Sequence, residues 1–97
     1  MSIDFDLSAI EKLLKNPKKL PKHIKESFLD WVSFVNFNGL DAAQKTKRFK
    51  DHPLKGERKG QRSVYLNKQW RAVYEVTNGV LTIVIVKEIT PHDYRTK

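Results

Sequence analysis

Ser63 to Ile89 reads SVYLNKQW RAVYEVTNGV LTIVIVKEI, and its period decides the fold. Side chains of an extended chain alternate between two faces. Val64 and Leu66 fall on one face, Ser63, Tyr65 and Asn67 on the other. After Asn67-Lys68, which suits a tight turn, Trp70, Ala72, Tyr74 and Val76 alternate with Arg71, Val73 and Glu75. Asn78-Gly79 follows, two residues that tolerate positive φ and so favour a hairpin. Val80 to Ile89 is apolar on both faces, which suits an interior strand. Three strands joined by short turns form an antiparallel meander.

Upstream the period changes to helical. Ile24, Phe28, Trp31, Val32 and Val35 form one stripe at i, i+4, i+7, i+8 and i+11, with Lys22, Lys25, Glu26, Asp30 and Ser33 largely off it. Pro21 suits the first turn of this helix, and Asn38-Gly39 its end. An earlier helix runs through Ala9, Ile10, Leu13 and Leu14, is capped by Asp6 or Ser8, and stops at Asn16-Pro17. Leu40 to Arg48 adds a short helical piece, and Asp51 to Gly56 reads as an irregular basic loop. Met1 to Phe5 is expected as an edge strand. Helices first and strands last predict an α+β fold of two layers, N-terminal helices packed on a small antiparallel sheet. Ninety-seven residues suit one domain spanning 1–97.

Charge is concentrated. Lys45 to Arg71 holds ten basic residues and two acids, Asp51 and Glu57, so this window alone accounts for the chain's net +8. A basic field of this kind attracts a polyanion, nucleic acid first among them. The chain has no cysteine, which excludes disulfides and thiolate chemistry. His23, His52 and His92 do not sit at metal-ligand spacing, so neither a metal nor a cofactor is expected. No signal peptide or membrane span is expected, because the longest apolar run is Ile83 to Val86.

Alternation turns Arg71 to the open face of the sheet, where Arg62, Tyr65, Glu88, His92 and Tyr94 are expected to gather. An ion pair of Arg71 with Glu75 or Glu88 is an equally good reading, since cross-strand pairs of this kind are common. His23 reads as solvated helix surface. His52 and His92 are the neutral-pH proton carriers near the basic window. Each alone reads as a surface histidine; two flanking one basic cluster suggest more. Cleavage of RNA without a metal needs a base for the 2′-hydroxyl, cations for the phosphorane and an acid for the leaving 5′-oxygen. A His/Lys/Arg/Tyr set fills those roles, and only RNA has the attacking hydroxyl. The bland alternative is a binding module whose lysines hold phosphates while no bond breaks.

His52-Pro53-Leu54-Lys55-Gly56 leads into Gly60-Gln61-Arg62-Ser63-Val64-Tyr65-Leu66-Asn67, then Trp70-Arg71, and finally Thr90-Pro91-His92-Asp93-Tyr94. In order and type this half of the chain resembles the RelE/ParE superfamily of bacterial toxins, most closely its HigB-type members. The resemblance implies the toxin of a type II toxin–antitoxin system in the bacterial cytoplasm. Such a toxin is an endoribonuclease that cuts mRNA in the A site of the 30S ribosomal subunit. It implies that His52, Arg71, His92 and Tyr94 are catalytic, and that Lys55, Arg58, Lys59, Arg62, Lys68 and Asp93 serve RNA or phosphate binding. It also implies a cognate antitoxin, with operator DNA bound only through the toxin–antitoxin complex. ParE-type relatives offer a different outcome on the same fold, poisoning DNA gyrase without cutting RNA.

Overall fold

The computed structural model describes residues 3–91. The order of elements is β1 (Ile3–Asp6), a 3-10 turn at Ser8–Ile10, α1 (Glu11–Leu14), α2 (Lys22–Asn38) and α3 (Leu40–Lys45). There follow a 3-10 turn at Lys47–Phe49, β2 (His52–Pro53), a 3-10 turn at Gly56–Arg58, β3 (Gln61–Tyr65), β4 (Trp70–Asn78) and β5 (Thr82–Pro91). The five strands form one sheet in the order β1-β5-β4-β3-β2. The β3-β4-β5 meander is antiparallel as expected, and β1 is an edge strand, parallel to β5. The architecture is α+β, with the helices packed on one face of the sheet. Among the described residues no helix is long and apolar enough to cross a membrane.

The helical stripe becomes the core. Ile24, Phe28, Trp31 and Val35 are fully buried, against Val64, Ala72, Tyr74, Val84 and Val86 from the sheet. Trp31 is the hub, its ring 5.7 Å from Phe5 and 5.1 Å from Tyr74. Aromatic contacts at these separations add to the area they remove from water. The helix ends where its signals lie. The Pro21 carbonyl accepts the amides of Ile24 and Lys25 at 3.0 Å. Gly39 takes φ 91° and donates its amide to the Val35 carbonyl at 2.8 Å. A residue with a Cβ enters that left-handed region only with strain.

The first helix differs from the expectation: it is split into a 3-10 turn and a single α-turn. Neither Asp6 nor Ser8 is its cap, a position held by Leu7; instead Asp6 Oδ1 accepts the Ser8 amide at 3.0 Å and the Ser8 hydroxyl at 2.7 Å. Those bonds hold the Asp6 carboxyl below its ordinary pKa, the hydroxyl bond contributing most. The Asn67-Lys68 turn is held by Asn67, whose Oδ1 accepts the amides of Gln69 and Trp70 at 2.8 and 2.9 Å. At Asn78-Gly79 the reason for the turn is different from the one expected. Neither residue has positive φ; the reversal is wider than two residues, with β4 running on to Asn78 and β5 starting at Thr82.

One irregularity matters for the surface. The β4–β5 register passes from Val73↔Glu88 to Tyr74↔Val86, leaving Lys87 as the extra residue of a bulge. A bulge inverts the side-chain alternation of its strand. Val84 and Val86 face the core before it, and Ile89 faces the core after it. Glu88 is thereby delivered to the open face opposite Val73, where unbroken alternation would have buried its carboxylate.

Candidate nucleic-acid interface and active site

Residues in register share a face, so the pairings map the open side of the sheet directly. One row is His52–Ser63–Val73–Glu88 and the next is Tyr65–Arg71–Thr90. A cleft of about 200 Å³ opens over them, lined by Lys50, His52, Ser63, Tyr65, Lys68 and Arg71, with Asn67 and Trp70 at its end. His52 and Arg71, 19 positions apart in the chain, thus border one concavity.

The open-face acids are occupied elsewhere. Glu88 pairs with Arg58, whose Nε also donates to Gln61 Oε1 at 3.0 Å. Glu75 lies 3.9 Å from the Lys87 ammonium and accepts from Gln61 Nε2 at 3.3 Å. The cross-strand ion pair that would have explained Arg71 structurally is therefore absent among the described residues. Arg71 is only partly exposed, and its Nε is buried with no hydrogen-bond partner among the described residues. An unmet guanidinium donor at a cleft is a strong site for an anionic oxygen.

His52 is oriented by its own loop. Its Nδ1 lies 2.8 Å from the Lys50 carbonyl. A carbonyl oxygen only accepts, so Nδ1 carries the proton and the neutral ring presents Nε2 as a lone pair. Lys50 has φ 46°, the only positive φ outside glycine among the described residues. Its ammonium stands 4.6 Å from the centre of the Tyr65 ring, a cation–π contact. Lys50 was not singled out from the sequence. No local period marks it, because its left-handed backbone interrupts the alternation leading into His52.

Arg62 corrects the expected layout. The sequence groups it with Arg71 on the open face, but it pairs in register with Tyr74 on the helix side. There its Nε donates to Asp51 Oδ1 at 2.6 Å, and the Tyr74 hydroxyl donates to Asp51 Oδ2 at 2.5 Å. Gln44 Nε2 donates to the same hydroxyl at 3.1 Å. Burial, reinforced by the Asp51 carboxylate, pushes the Tyr74 phenol far above its ordinary pKa of 10.0. Desolvation by itself would lower the Arg62 pKa, but the bond to Asp51, the charge of that carboxylate and Tyr74 together raise it. The sequence error was a matter of parity: β3 begins at Gln61, so Arg62 falls in phase with Val64, the buried position.

The other expected residues divide. Lys68 lines the cleft. Lys55 and Lys59 are exposed around the short 3-10 turn, and Arg58 is bound to Glu88 at the far end of the open face. His92, Asp93 and Tyr94 lie outside the described residues. Ser63, almost completely buried beneath the cleft, and Tyr65 complete its floor and wall.

No protein-family model matches the chain, and no curated protein does. Solved structures do. YafQ from E. coli strain BL21(DE3) superposes with a TM-score of 0.70 at 19% identity, covering 99% of this chain and 98% of its own. A YoeB/ParE toxin from Agrobacterium tumefaciens gives 0.67 at 20%, covering 96% and 100%. YoeB of the YoeB-YefM complex from Staphylococcus aureus gives 0.65 at 22%, covering 96% and 98%. The chain shares the fold of these YoeB, ParE and YafQ proteins along nearly its whole length. Staphylococcal YoeB is seen in a heterotetrameric toxin–antitoxin complex with YefM, and E. coli YafQ in a complex with DinJ.

Proposed function

We propose that this chain is the toxin of a type II toxin–antitoxin pair and that it cleaves mRNA in the 30S A site of the translating ribosome. The observation that carries the reading is the cleft itself: a histidine with an open Nε2, an arginine with an unmet buried donor, Lys50 and Tyr65 share one concave surface. Fold likeness to toxins seen with antitoxins supports the antitoxin partner. The narrower HigB-type assignment rests on the His52-to-Gly56 stretch and the Trp70-Arg71 pair. The bacterial cytoplasm is the compartment this function requires, and operator DNA is contacted only through the toxin–antitoxin complex.

In the proposed reaction His52 Nε2 takes the proton of the ribose 2′-hydroxyl. The freed O2′ attacks the adjacent phosphorus. Arg71 and Lys50 stabilise the charge that grows on the non-bridging oxygens, and Lys68 and Lys55 hold neighbouring phosphates. The P–O5′ bond then breaks, and the leaving 5′-oxygen takes a proton from Tyr94 or His92, the roles their motif implies. The products are a 2′,3′-cyclic phosphate and a 5′-hydroxyl. Every proton and charge is handled by side chains, so the scheme needs no metal.

Arg58, Lys59 and Arg62 contribute differently from one another. Lys59 adds to the field that draws in RNA, Arg58 shapes the open face through Glu88, and Arg62 acts from beneath the sheet. The test is to induce the chain in growing cells and map mRNA 5′ ends. Cuts in phase with codons, lost in Arg71→Ala and His52→Ala, are expected. Intact mRNA with arrested replication would instead mark a gyrase poison, and retention of RNA without cuts a binding module.

A further inference from the structure

Asp51 is next to His52 but on the opposite side of the sheet. Its side chain is 0% exposed, so it touches no substrate. Three elements converge on its carboxylate: Arg62 from β3, Tyr74 from β4, and Gln44 from α3 through the Tyr74 hydroxyl. Upstream the segment is tied down by Phe49, buried against Phe34, but downstream little else holds it. β2 is two residues long, in register only as His52↔Ser63 and Pro53↔Arg62, and Pro53 has no amide to donate. Beyond it, the Leu54 amide bonds the Gln61 carbonyl at 2.9 Å.

The anchoring of Asp51 sets the orientation of the strand residue that follows it. With the carboxylate drawn to the helix side, His52 turns to the cleft side, and the left-handed backbone of Lys50 presents its carbonyl to the ring. The Lys50 carbonyl then meets His52 Nδ1, which fixes the ring's tautomer. The bond spans only two residues, so it persists only while the loop backbone keeps its shape; in a loose loop an exposed histidine samples both tautomers and several rotamers.

We infer that Asp51, clamped by Arg62 and Tyr74, is the positioning residue that holds the His52 imidazole at the cleft with Nε2 outward. This deepens the proposed function, since it explains how one of the reacting groups is kept in place. It also assigns Arg62 a part in the site without contact to RNA. A base displaced by about an ångström loses on the order of a hundredfold in rate.

The experiment has two arms. In the first, long-range proton–nitrogen NMR reads the His52 tautomer at about pH 8.5, where an ordinary imidazole is neutral. The His52→Ala spectrum identifies the signals. Wild type is expected to show the Nδ1–H form alone; Asp51→Asn and Tyr74→Phe are expected to show both forms in exchange. In the second, single-turnover cleavage of mRNA on programmed ribosomes is expected to slow about 10- to 100-fold in those variants, with half-saturation within about twofold of wild type because the Arg71 side of the cleft is intact. Tyr74→Phe keeps the Arg62–Asp51 pair and serves if Asp51→Asn fails to fold. A fixed tautomer in a folded variant would overturn the inference, as would a fall in binding with an unchanged rate. If wild type proves not to cut RNA, the proposed reaction falls while the NMR arm still decides the clamp.

Discussion

Replacing Arg62 by methionine separates a buried clamp from a phosphate contact. The Arg62 side chain is 29% exposed, that of its Asp51 partner 0%. Methionine fills most of the aliphatic volume and removes the charge. The Asp51 carboxylate is then left inside with the Tyr74 hydroxyl as its remaining donor. Stranding one partner of a buried ion pair costs about 3–5 kcal/mol. The retained 2.5 Å bond from Tyr74 and the partial water access on the Arg62 side reduce this to about 2–3 kcal/mol. For a domain of this size that lowers Tm by roughly 10–20 °C. Thermal melts of Arg62→Met, Asp51→Asn and the double variant form a cycle. The double variant is expected to be more stable than the sum of the single losses predicts, by about 1–3 kcal/mol. A loss below about 1 kcal/mol in Arg62→Met, or strict additivity, would refute a buried clamp and return Arg62 to the RNA-binding surface.

Arg71→Ala should behave oppositely. With no ion pair to break among the described residues, stability is expected to change by less than about 1 kcal/mol, while cleavage falls about 10²- to 10³-fold; melts and single-turnover rates check both. Tyr74 predicts an alkaline limb. Its phenol pKa is raised in the folded state, so the folded chain holds that proton more tightly. The resulting stability is present in full below pH 10.0 and is lost as pH rises towards the folded value. Denaturant midpoints from pH 8 to 11 are expected to fall in wild type and to flatten in Tyr74→Phe. At the acid end, Asp6 has a lowered pKa through Ser8. Its contribution is present above the ordinary carboxyl value of 3.8 and is lost as pH falls through the folded value. Carboxyl NMR titration is expected to show Asp6 rising towards 3.8 in Ser8→Ala.

Much of the architecture was written in local periods. The stripe from Ile24 to Val35 and the alternation from Trp70 to Val76 each report which side of an element meets apolar surface. That preference is carried by the residues themselves, whatever they pack on. Turn positions were legible for the same reason, since Asn67 and Gly39 serve needs of the nearby backbone. The side of the sheet taken by Arg71 followed from that periodicity as well. The charge window located the excess positive charge in outline, because electrostatic fields sum over a segment without needing its fold.

Other features depended on groups distant in sequence. The side taken by Arg62 was misjudged because it lies at the entrance to β3, and only the pairing with Tyr74 carries the strand, and with it the phase of Val64, back to that residue. The bulge at Lys87 sends Ile89 inward and Glu88 outward, so the partner of Arg58 was decided by strand register. Whether Arg71 was spent on a strand acid could not be read from proximity, because Glu75 and Glu88 each had several cations within reach. The sequence by itself determined the layers and the sign of the surface. Only the tertiary structure decided which cations are neutralised and which side chains open onto the cleft. Hydrophobic periodicity is a property of one element, whereas ion pairing is a competition among residues from many.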